Sequence, residues 1–478
     1  MFTSKKQIFL TGASGNMGRA ALEELLQRDD RFQVTALALP TRKDRRILAP
    51  YQDRGLNVIW GDLTCYEDVL QGVNGADYVL HVGGLVSPLA DTMPELTMKV
   101  NVGGAENIVR AIKAQPEPDR VHLVYIGTIG QTGNRPVPIH WGRIGDPIKI
   151  NTFDTYSLSK TIAERVIIDS GLRNWVSLRQ TGIARMAASE PLDPITFHIT
   201  LSGVLEWITP RDSGRLLANV CEESVPDGFW GTIYNIGGGE PNRLTNLELF
   251  ERMLSAIGLS DYREVLDPNW FATRNFHGQW LTDSDLLESL VPFRDQTFDD
   301  YLEEQTSSMP WFIRLGGYFP RLVRRKFEGV ARGPRGTLTW IAQGYESHIK
   351  AYFGSLQNWR SIGDWAHMDY VRPSGNPIKL DHGYDDIHPR GKISLNAIRG
   401  AARFRGGKLL SRDPRRSDWF SPLRWRCHAG HEFPASLNLI LKGGHWCPVC
   451  IADPASYPAM AEHSAFFRQV WEPEMLAG

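Results

Sequence analysis

Short apolar runs separated by longer amphipathic stretches fill roughly the first 260 residues of the chain. The runs at 7–10, 33–37, 57–60, 78–82, 122–126 and 175–179 are rich in Val, Ile, Leu and aromatics. That is the composition of strands buried on both faces. Between them, 19–27, 100–114 and 158–170 are amphipathic stretches that read as helices. The alternation predicts an α/β fold: a doubly wound parallel sheet of Rossmann type, with helices on both faces. Gly237-Gly238-Gly239 predicts a loop, and 245–257 a helix capped at Thr245 or Asn246. After about residue 300 the alternation stops. Residues 311–365, dense in aromatics, Gly and Arg, read as a packed extension, and the Pro/Gly/Asp-rich stretch 372–391 sets off the C-terminus.

Length and composition narrow the class. A chain of 478 residues suggests two or three domains. Its 42% hydrophobic and 22% charged content excludes a mostly disordered protein. No run approaches the ~20 apolar residues of a membrane span. The N-terminus moves from Lys5 and Lys6 straight into a strand pattern without a secretory apolar core. A soluble, cytoplasmic protein is expected. Five cysteines do not make a disulfide framework in so long a chain. The totals of 53 basic and 54 acidic residues hide an asymmetry. Residues 311–430 hold 22 Lys/Arg against 9 Asp/Glu, leaving 31 against 45 elsewhere.

The first strand pattern ends in Thr11-Gly12-Ala13-Ser14-Gly15-Asn16-Met17-Gly18 and opens a helix. G-x-x-G-x-x-G lets the chain turn tightly, approach a pyrophosphate and pack the helix on the sheet, with the phosphate on free N–H groups at the helix start. This placement, in the first strand–helix unit, points to a dinucleotide. The acid that grips a ribose 2′-hydroxyl some 20 residues later is missing. Ala38-Leu39-Pro40 stands there, followed by Thr41, Arg42, Lys43 and Arg45. Such cations suit a 2′-phosphate and favour NADP over NAD; the competing reading is solvated loop charge. Asp62, after the third strand, is placed to meet the adenine.

Tyr156 and Lys160 stand four apart, on one face of a helix. A free phenol, with a pKa near ~10, holds its proton too tightly to act well as a base at neutral pH. A nearby ammonium stabilises the phenolate. A strand pattern about thirty residues earlier ends in Thr128, whose hydroxyl can hold a substrate oxygen against the tyrosine. Y-x-x-x-K alone occurs often by chance; its order after the glycine turn and a strand-end Thr gives it meaning.

With these motifs the chain resembles the extended short-chain dehydrogenase/reductase family over residues 5–300. The resemblance is carried by TGASGNMG at 11–18, GDLT at 61–64, HVGG at 81–84, NVGGAENIV at 101–109, VYIGT at 124–128, YSLSK at 156–160 and LRQTGIA at 178–184. It implies Tyr156 as acid/base, Lys160 as the ribose-binding and pKa-lowering partner, Thr128 in place of the usual Ser, and Asn101 in support. It implies a cofactor site of Gly12, Ser14, Gly15, Asn16, Met17, Gly18, Arg42, Lys43, Asp62, Leu63, Gly83, Tyr156 and Lys160, with Thr181 and Ile183 by the nicotinamide.

Departures from the family narrow the chemistry. Sugar-nucleotide 4,6-dehydratases carry Asp-Glu directly after the catalytic Thr; here Ile129-Gly130 follows. Epimerases of this family usually show a Tyr/Phe-Asn-Pro-like segment after the Leu-Arg strand, where this chain has 179–185, RQTGIAR, closer to reductases of steroid-like or flavonoid-like carbonyls. His81-Val82-Gly83-Gly84, in place of His-x-Ala-Ala, reads as backbone packing near the cofactor.

Cys427-x3-His431, then Cys447-x2-Cys450, is ligand spacing for tetrahedral zinc. Four candidate ligands close the site, which makes the zinc structural. Gly430 and Pro448 suit knuckle turns, and Trp425, Phe433 and Trp446 can wrap the site. His428 and His445 fit the spacing less well. With 402–411 the segment resembles a small bacterial zinc-ribbon module, often found in proteins suspected of handling nucleic acid.

The expected organisation is a dinucleotide-binding and substrate domain at 1–305, an aromatic and basic extension at 306–370 and a zinc-ribbon-like domain at 371–478. The favoured reading is an NAD(P)-dependent oxidoreductase interconverting a secondary alcohol and a ketone, acting on a small carbonyl or alcohol substrate as a homo-oligomer. The alternatives are an epimerase with retained NAD, or a cofactor-sensing protein whose ribbon binds nucleic acid. The basic block is assigned first to packing against the acidic remainder or within an oligomer, with nucleic acid and a membrane surface as the lesser readings.

Overall fold

The computed structural model describes residues 5–186, 192–311, 313–368, 370–386, 393–411 and 418–476. Positions 312 and 387–391, within the extension and the Pro/Gly/Asp-rich stretch, lie outside the described residues. Seven parallel strands form the main sheet: β1 (Lys6–Thr11), β2 (Phe32–Ala38), β3 (Asn57–Trp60), β4 (Tyr78–His81), β5 (His122–Thr128), β6 (Trp175–Gln180) and β7 (Thr232–Ile236). Their order is β3-β2-β1-β4-β5-β6-β7. The first six match the six apolar runs; β7, the run Thr-Ile-Tyr-Asn-Ile, lies outside them. The order reverses between β1 and β4, where Thr11 pairs with His81, and a crevice for ligands opens at the strand C-termini of such a switch point.

Alternation along β1 divides the core. Ile8 and Leu10 pack with Met17, Leu22 and Leu25 of α1 (Asn16–Leu26) and with Leu216 and Leu217 of the helix Pro210–Asn219. Phe9 points the other way. It joins Val69 of the helix Tyr66–Val73, Ile108 of Gly104–Lys113 and Ile167 of Thr155–Ile168. The helix expected at 100–114 is reached through wide π-type turns, Met98–Gly103, with Asn101 buried inside them. Such turns recur at functional sites. The helix after the triple glycine, Asn246–Ala256, is capped by Thr245 and Glu248 in reciprocal bonds.

The extension forms helices Pro320–Ala331, Thr337–Gln343, Glu346–Phe353 and Leu356–Ser361. Phe327, Ala331 and Leu338 share a cluster with Phe197, Leu201 and Phe271. The stretch after it is pinned along the sheet domain: His140 Nε2 and Trp141 Nε1 donate to the Ser374 carbonyl at 2.9 and 3.1 Å, and Arg143 Nη2 donates to that of Leu380 at 3.0 Å. The C-terminal segment builds a three-stranded antiparallel sheet, Lys408–Leu409, Leu423–Arg426 and Glu432–Ala435. Its Trp425, Phe433, Leu439, Ile440 and Trp446 belong to the same apolar cluster as Phe9, Leu123 and Ile167. Sheet domain and C-terminal segment therefore share one core. No helix among the described residues is long and apolar enough to cross a membrane.

Helix α1 meets Pro210–Asn219 across Gly214, where a Cβ would stand 2.3 Å from the Ala20 carbonyl carbon. Gly214→Val should cost about 1–3 kcal/mol by overpacking this contact. The check is the urea midpoint of the full chain, which should fall; an unchanged midpoint would show that the two helices can part without loss.

Candidate functional site

Gly12 opens the turn after β1 with a φ of +75°, a conformation natural to glycine. A Cβ on it would stand 2.7 Å from the Gly83 amide nitrogen, and one on Gly18 would stand 2.1 Å from the Gly12 oxygen. Gly15, exposed, is the N-cap of α1, and no side chain caps that helix. Its start is flanked by the half-buried Ser14 and Asn16, with Met17 buried behind. An uncapped helix start of this kind can take a phosphate.

Thr11 Oγ1 lies 3.0 Å from His81 Nδ1 and accepts from the Gly83 amide at 2.9 Å. His81 and Gly83 thus do the backbone packing that the sequence suggested. A Cβ on Gly84 would stand 2.8 Å from Asn101 Oδ1. Asn101 accepts from the Leu85 amide at 2.7 Å and donates to the Leu85 carbonyl at 2.9 Å and to Ser159 Oγ at 2.8 Å. Ser159 donates in turn to the Tyr156 carbonyl at 2.7 Å. A continuous set of contacts therefore runs from the glycine turn to the tyrosine.

Tyr156 lies in the first turn of the helix Thr155–Ile168, with Lys160 one turn on. Asp154 caps the helix, accepting from the Ser157 amide at 2.8 Å. The Asp91 carboxylate accepts from the Tyr156 amide at 3.3 Å. Burial pushes the Tyr156 phenol up to about 12, a hydrogen bond with Thr128 opposes this, and the charges of Asp154 and Asp91 add to it. Thr128 Oγ1 accepts from the Gly130 amide at 3.0 Å, leaving its own proton to donate. Burial lowers the Lys160 amine to about 7, against the pull of Glu164. Its Nζ stands 4.3 Å above the Tyr125 ring. Sequence reasoning missed Asp91 and His277, whose Nδ1 lies 4.0 Å from Asp154 Oδ2; neither sits in a motif.

At the far end of β6, Gln180 Oε1 and Thr181 Oγ1 are buried without a hydrogen-bond partner. Buried polar atoms normally find one, so both suit a polar ligand group such as a carboxamide. Ile183 bridges to Ile208 beside them. Arg42 and Lys43 are exposed on the first turn of the helix Arg42–Gln52, just past β2. Neither pairs with a carboxylate among the described residues. Asp62 follows β3 and accepts from the Thr64 amide at 2.8 Å, while the Leu63 carbonyl accepts from Asn107 at 3.0 Å.

The C-terminal ligand set converges. Cys427, His431, Cys447 and Cys450 place their donor atoms within 4.8 Å of one another. Tetrahedral zinc, with bonds of about 2.3 Å to sulfur and about 2.0 Å to nitrogen, sets S···S edges near ~3.8 Å and S···N edges near ~3.5 Å. Cys427 and Cys450 sulfurs are 3.8 Å apart. His431 Nδ1 lies 3.5, 3.5 and 3.4 Å from the sulfurs of Cys427, Cys447 and Cys450. The donor set therefore fits zinc. Gly430, with φ +86°, makes the first knuckle, and Trp425 and Phe433 both meet the Trp446 ring edge-on next to Cys447 in the chain. The two spare histidines are engaged elsewhere: His428 stacks on His463, and His445 bonds Glu164.

Residues 9–184 match the sequence model of the 3-beta hydroxysteroid dehydrogenase/isomerase family. Among curated relatives, 3 beta-hydroxysteroid dehydrogenase type 7 of Mus musculus is 27% identical over 187 residues, covering 36% of this chain and 49% of that protein. The human protein of the same name is 27% identical over 194 residues, 38% of this chain and 51% of that protein. A UDP-glucose 4-epimerase of Rickettsia massiliae is 27% identical over 110 residues, 22% of this chain and 32% of that protein. The chain spans about half the length of the first two. Among solved structures, the dTDP-glucose 4,6-dehydratase DesIV of Streptomyces venezuelae, with NAD and TYD bound, superposes with a TM-score of 0.52 at 23% identity, over 66% of this chain and 99% of that one. These matches bear out the likeness to extended short-chain dehydrogenases/reductases, and the last one the fold.

Metal analysis of purified protein should find about one zinc per chain. Changing Cys447 and Cys450 together to Ser should remove it and lower the thermal stability of the C-terminal segment, since metal binding and folding are coupled in such modules. Zinc retained by the double variant would place the metal elsewhere.

Proposed function

We propose that this protein is a nicotinamide-dependent oxidoreductase that interconverts a secondary alcohol and a ketone, with Tyr156 as the acid/base. The observation that carries the reading is the placement of Tyr156 and the buried Lys160 one turn apart on the helix Thr155–Ile168, beside Thr128 at the end of β5. It is supported by the glycine turn and by the unpartnered atoms of Gln180 and Thr181, and by the names of the curated relatives.

The uncapped start of α1 would take the pyrophosphate, Asp62 and Leu63 the adenine side, and Gln180 and Thr181 the carboxamide. When bound, the nicotinamide exchanges a hydride with the substrate carbon. Thr128 donates to the substrate oxygen and fixes it beside the phenol. Tyr156, whose proton is held more firmly than in a free phenol, gives that proton to the oxygen as negative charge develops there. In the opposite direction the phenolate removes it. Lys160 would hold the nicotinamide ribose and, once protonated, stabilise the phenolate. Ile129 and Gly130, both buried, follow Thr128 directly, where sugar-nucleotide 4,6-dehydratases carry Asp-Glu. Arg42 and Lys43 favour NADP, since a 2′-phosphate would meet two unpaired cations there.

Tyr156→Phe keeps the ring and removes the transferable proton. Turnover of a carbonyl substrate, found by screening for loss of NADPH absorbance, should drop by about 10²–10⁴, with dinucleotide affinity within about twofold of wild type. Activity within tenfold would remove Tyr156 from the chemistry.

The wild type should prefer NADPH to NADH in kcat/KM, and the double variant R42A/K43A should erase about tenfold or more of that preference, as loss of charge-assisted phosphate contacts does. A wild type that prefers NADH would make these cations ordinary surface charge.

A further inference from the structure

Glu164 lies one turn beyond Lys160 on the same helix and is 0% exposed. Five hydrogen bonds converge on its carboxylate. Oε1 accepts from Ser177 Oγ at 2.7 Å and Arg179 Nε at 3.0 Å. Oε2 accepts from Arg179 Nη2 at 2.8 Å, Gln131 Nε2 at 2.9 Å and His445 Nε2 at 2.8 Å. Arg179 Nη2 also donates to the Gly443 carbonyl at 2.7 Å. Three parts of the fold meet here: the helix Thr155–Ile168, strand β6 with the turn after β5, and the loop 443–445 that leads into the knuckle at Cys447.

We propose that the C-terminal module completes the catalytic helix, His445 and the Gly443 carbonyl fixing the Glu164–Arg179 pair so that Glu164 positions Lys160 for the cofactor ribose. The inference rests on the hydride-transfer reading above. Side chains four apart on a helix are neighbours, and Glu164 is the carboxylate whose charge reaches Lys160. The other groups facing that amine are the Tyr125 ring and His81, both from the sheet. Burial favours a neutral, unanchored lysine; a fixed carboxylate one turn away opposes it. A carboxylate that lost one of its donors would turn toward those left and release that hold. His445 needs only its Nε2–H form to serve, and it is not a ligand of the metal. Glu164, Arg179 and His445 are positioning residues, acting through Lys160.

The test is a pair of binding measurements on zinc-loaded, full-length protein. NADPH spans both ends of the site, whereas ADP reaches only the glycine turn and the adenine side. His445→Ala should weaken NADPH at least tenfold and leave ADP within about twofold, and His445→Gln, which can still donate, should restore most of the NADPH affinity. Lys160→Ala should weaken NADPH similarly, and adding His445→Ala to it should cost nothing more. Should the alanine variant fail to hold zinc or ADP, Ser177→Ala strips another donor from the same carboxylate without touching the module, with an expected NADPH loss of about threefold. Equal losses of ADP and NADPH, additive losses with Lys160→Ala, or an unchanged NADPH affinity would overturn the proposal. A wild type that binds ADP but not NADPH would instead overturn the hydride-transfer reading beneath it.

Discussion

A carboxylate sealed from water stays ionised only if the groups around it outweigh the loss of hydration, and this constraint organises the molecule at Glu164. Burial by itself would raise its pKa, but the charge of Arg179 and the hydrogen bonds of Arg179 and His445 hold it well below the usual carboxylate range. Stripping one partner from such a buried pair typically costs ~3–5 kcal/mol. The donors come from β6, from the turn after β5 and from the C-terminal module. The helix Thr155–Ile168, the sheet and the loop 443–445 are therefore locked to one another by a single polar junction. The apolar cluster shared by Phe9, Ile167, Trp425 and Trp446 surrounds it, so the polar lock and the common core enforce the same docking.

The same docking sets the Cys/His cluster against the sheet domain. A zinc ion on this cluster would tie Cys427 and His431 to Cys447 and Cys450, and the chain between the two pairs carries Gly443 and His445 to the helix. Arg165 of that helix lies close by, over the Phe433 ring at 5.7 Å. The C-terminal segment is thus pressed against the helix that bears Tyr156 and Lys160. The basic character of 311–430 has a partial account in the same terms: Arg324 pairs with Asp267 at 3.0 Å, and Arg372 bonds Glu248 and the Arg243 carbonyl.

What was legible in the sequence was local. Strands β1 to β6 announce themselves because both their faces are buried and their composition leaves little choice. The glycine turn is readable because steric demands at Gly12 and Gly18 admit no side chain, and the zinc set because its ligands come in two short knuckles. Thr245 and Glu248 spelled their own capping box. The junction was not legible. Glu164 and His445 are 281 positions apart, and nothing in the spacing of His445 separates a ligand from a neighbour of one. Nor could Y-x-x-x-K reveal that burial, with Asp91 and Asp154 nearby, would push the phenol upward before any cofactor arrives. The unpartnered atoms of Gln180 and Thr181 belong with these, because only packing shows that no partner exists.

The central claim is that the glycine turn and Tyr156 are two ends of one dinucleotide site. A crystal structure of the protein with NADPH tests it most directly. The account predicts the pyrophosphate on the first N–H groups of α1, the ribose against Lys160, and the nicotinamide ring between Thr181 and the Tyr156 hydroxyl. A dinucleotide seated away from α1, or bound there with its nicotinamide turned away from Tyr156, would contradict it.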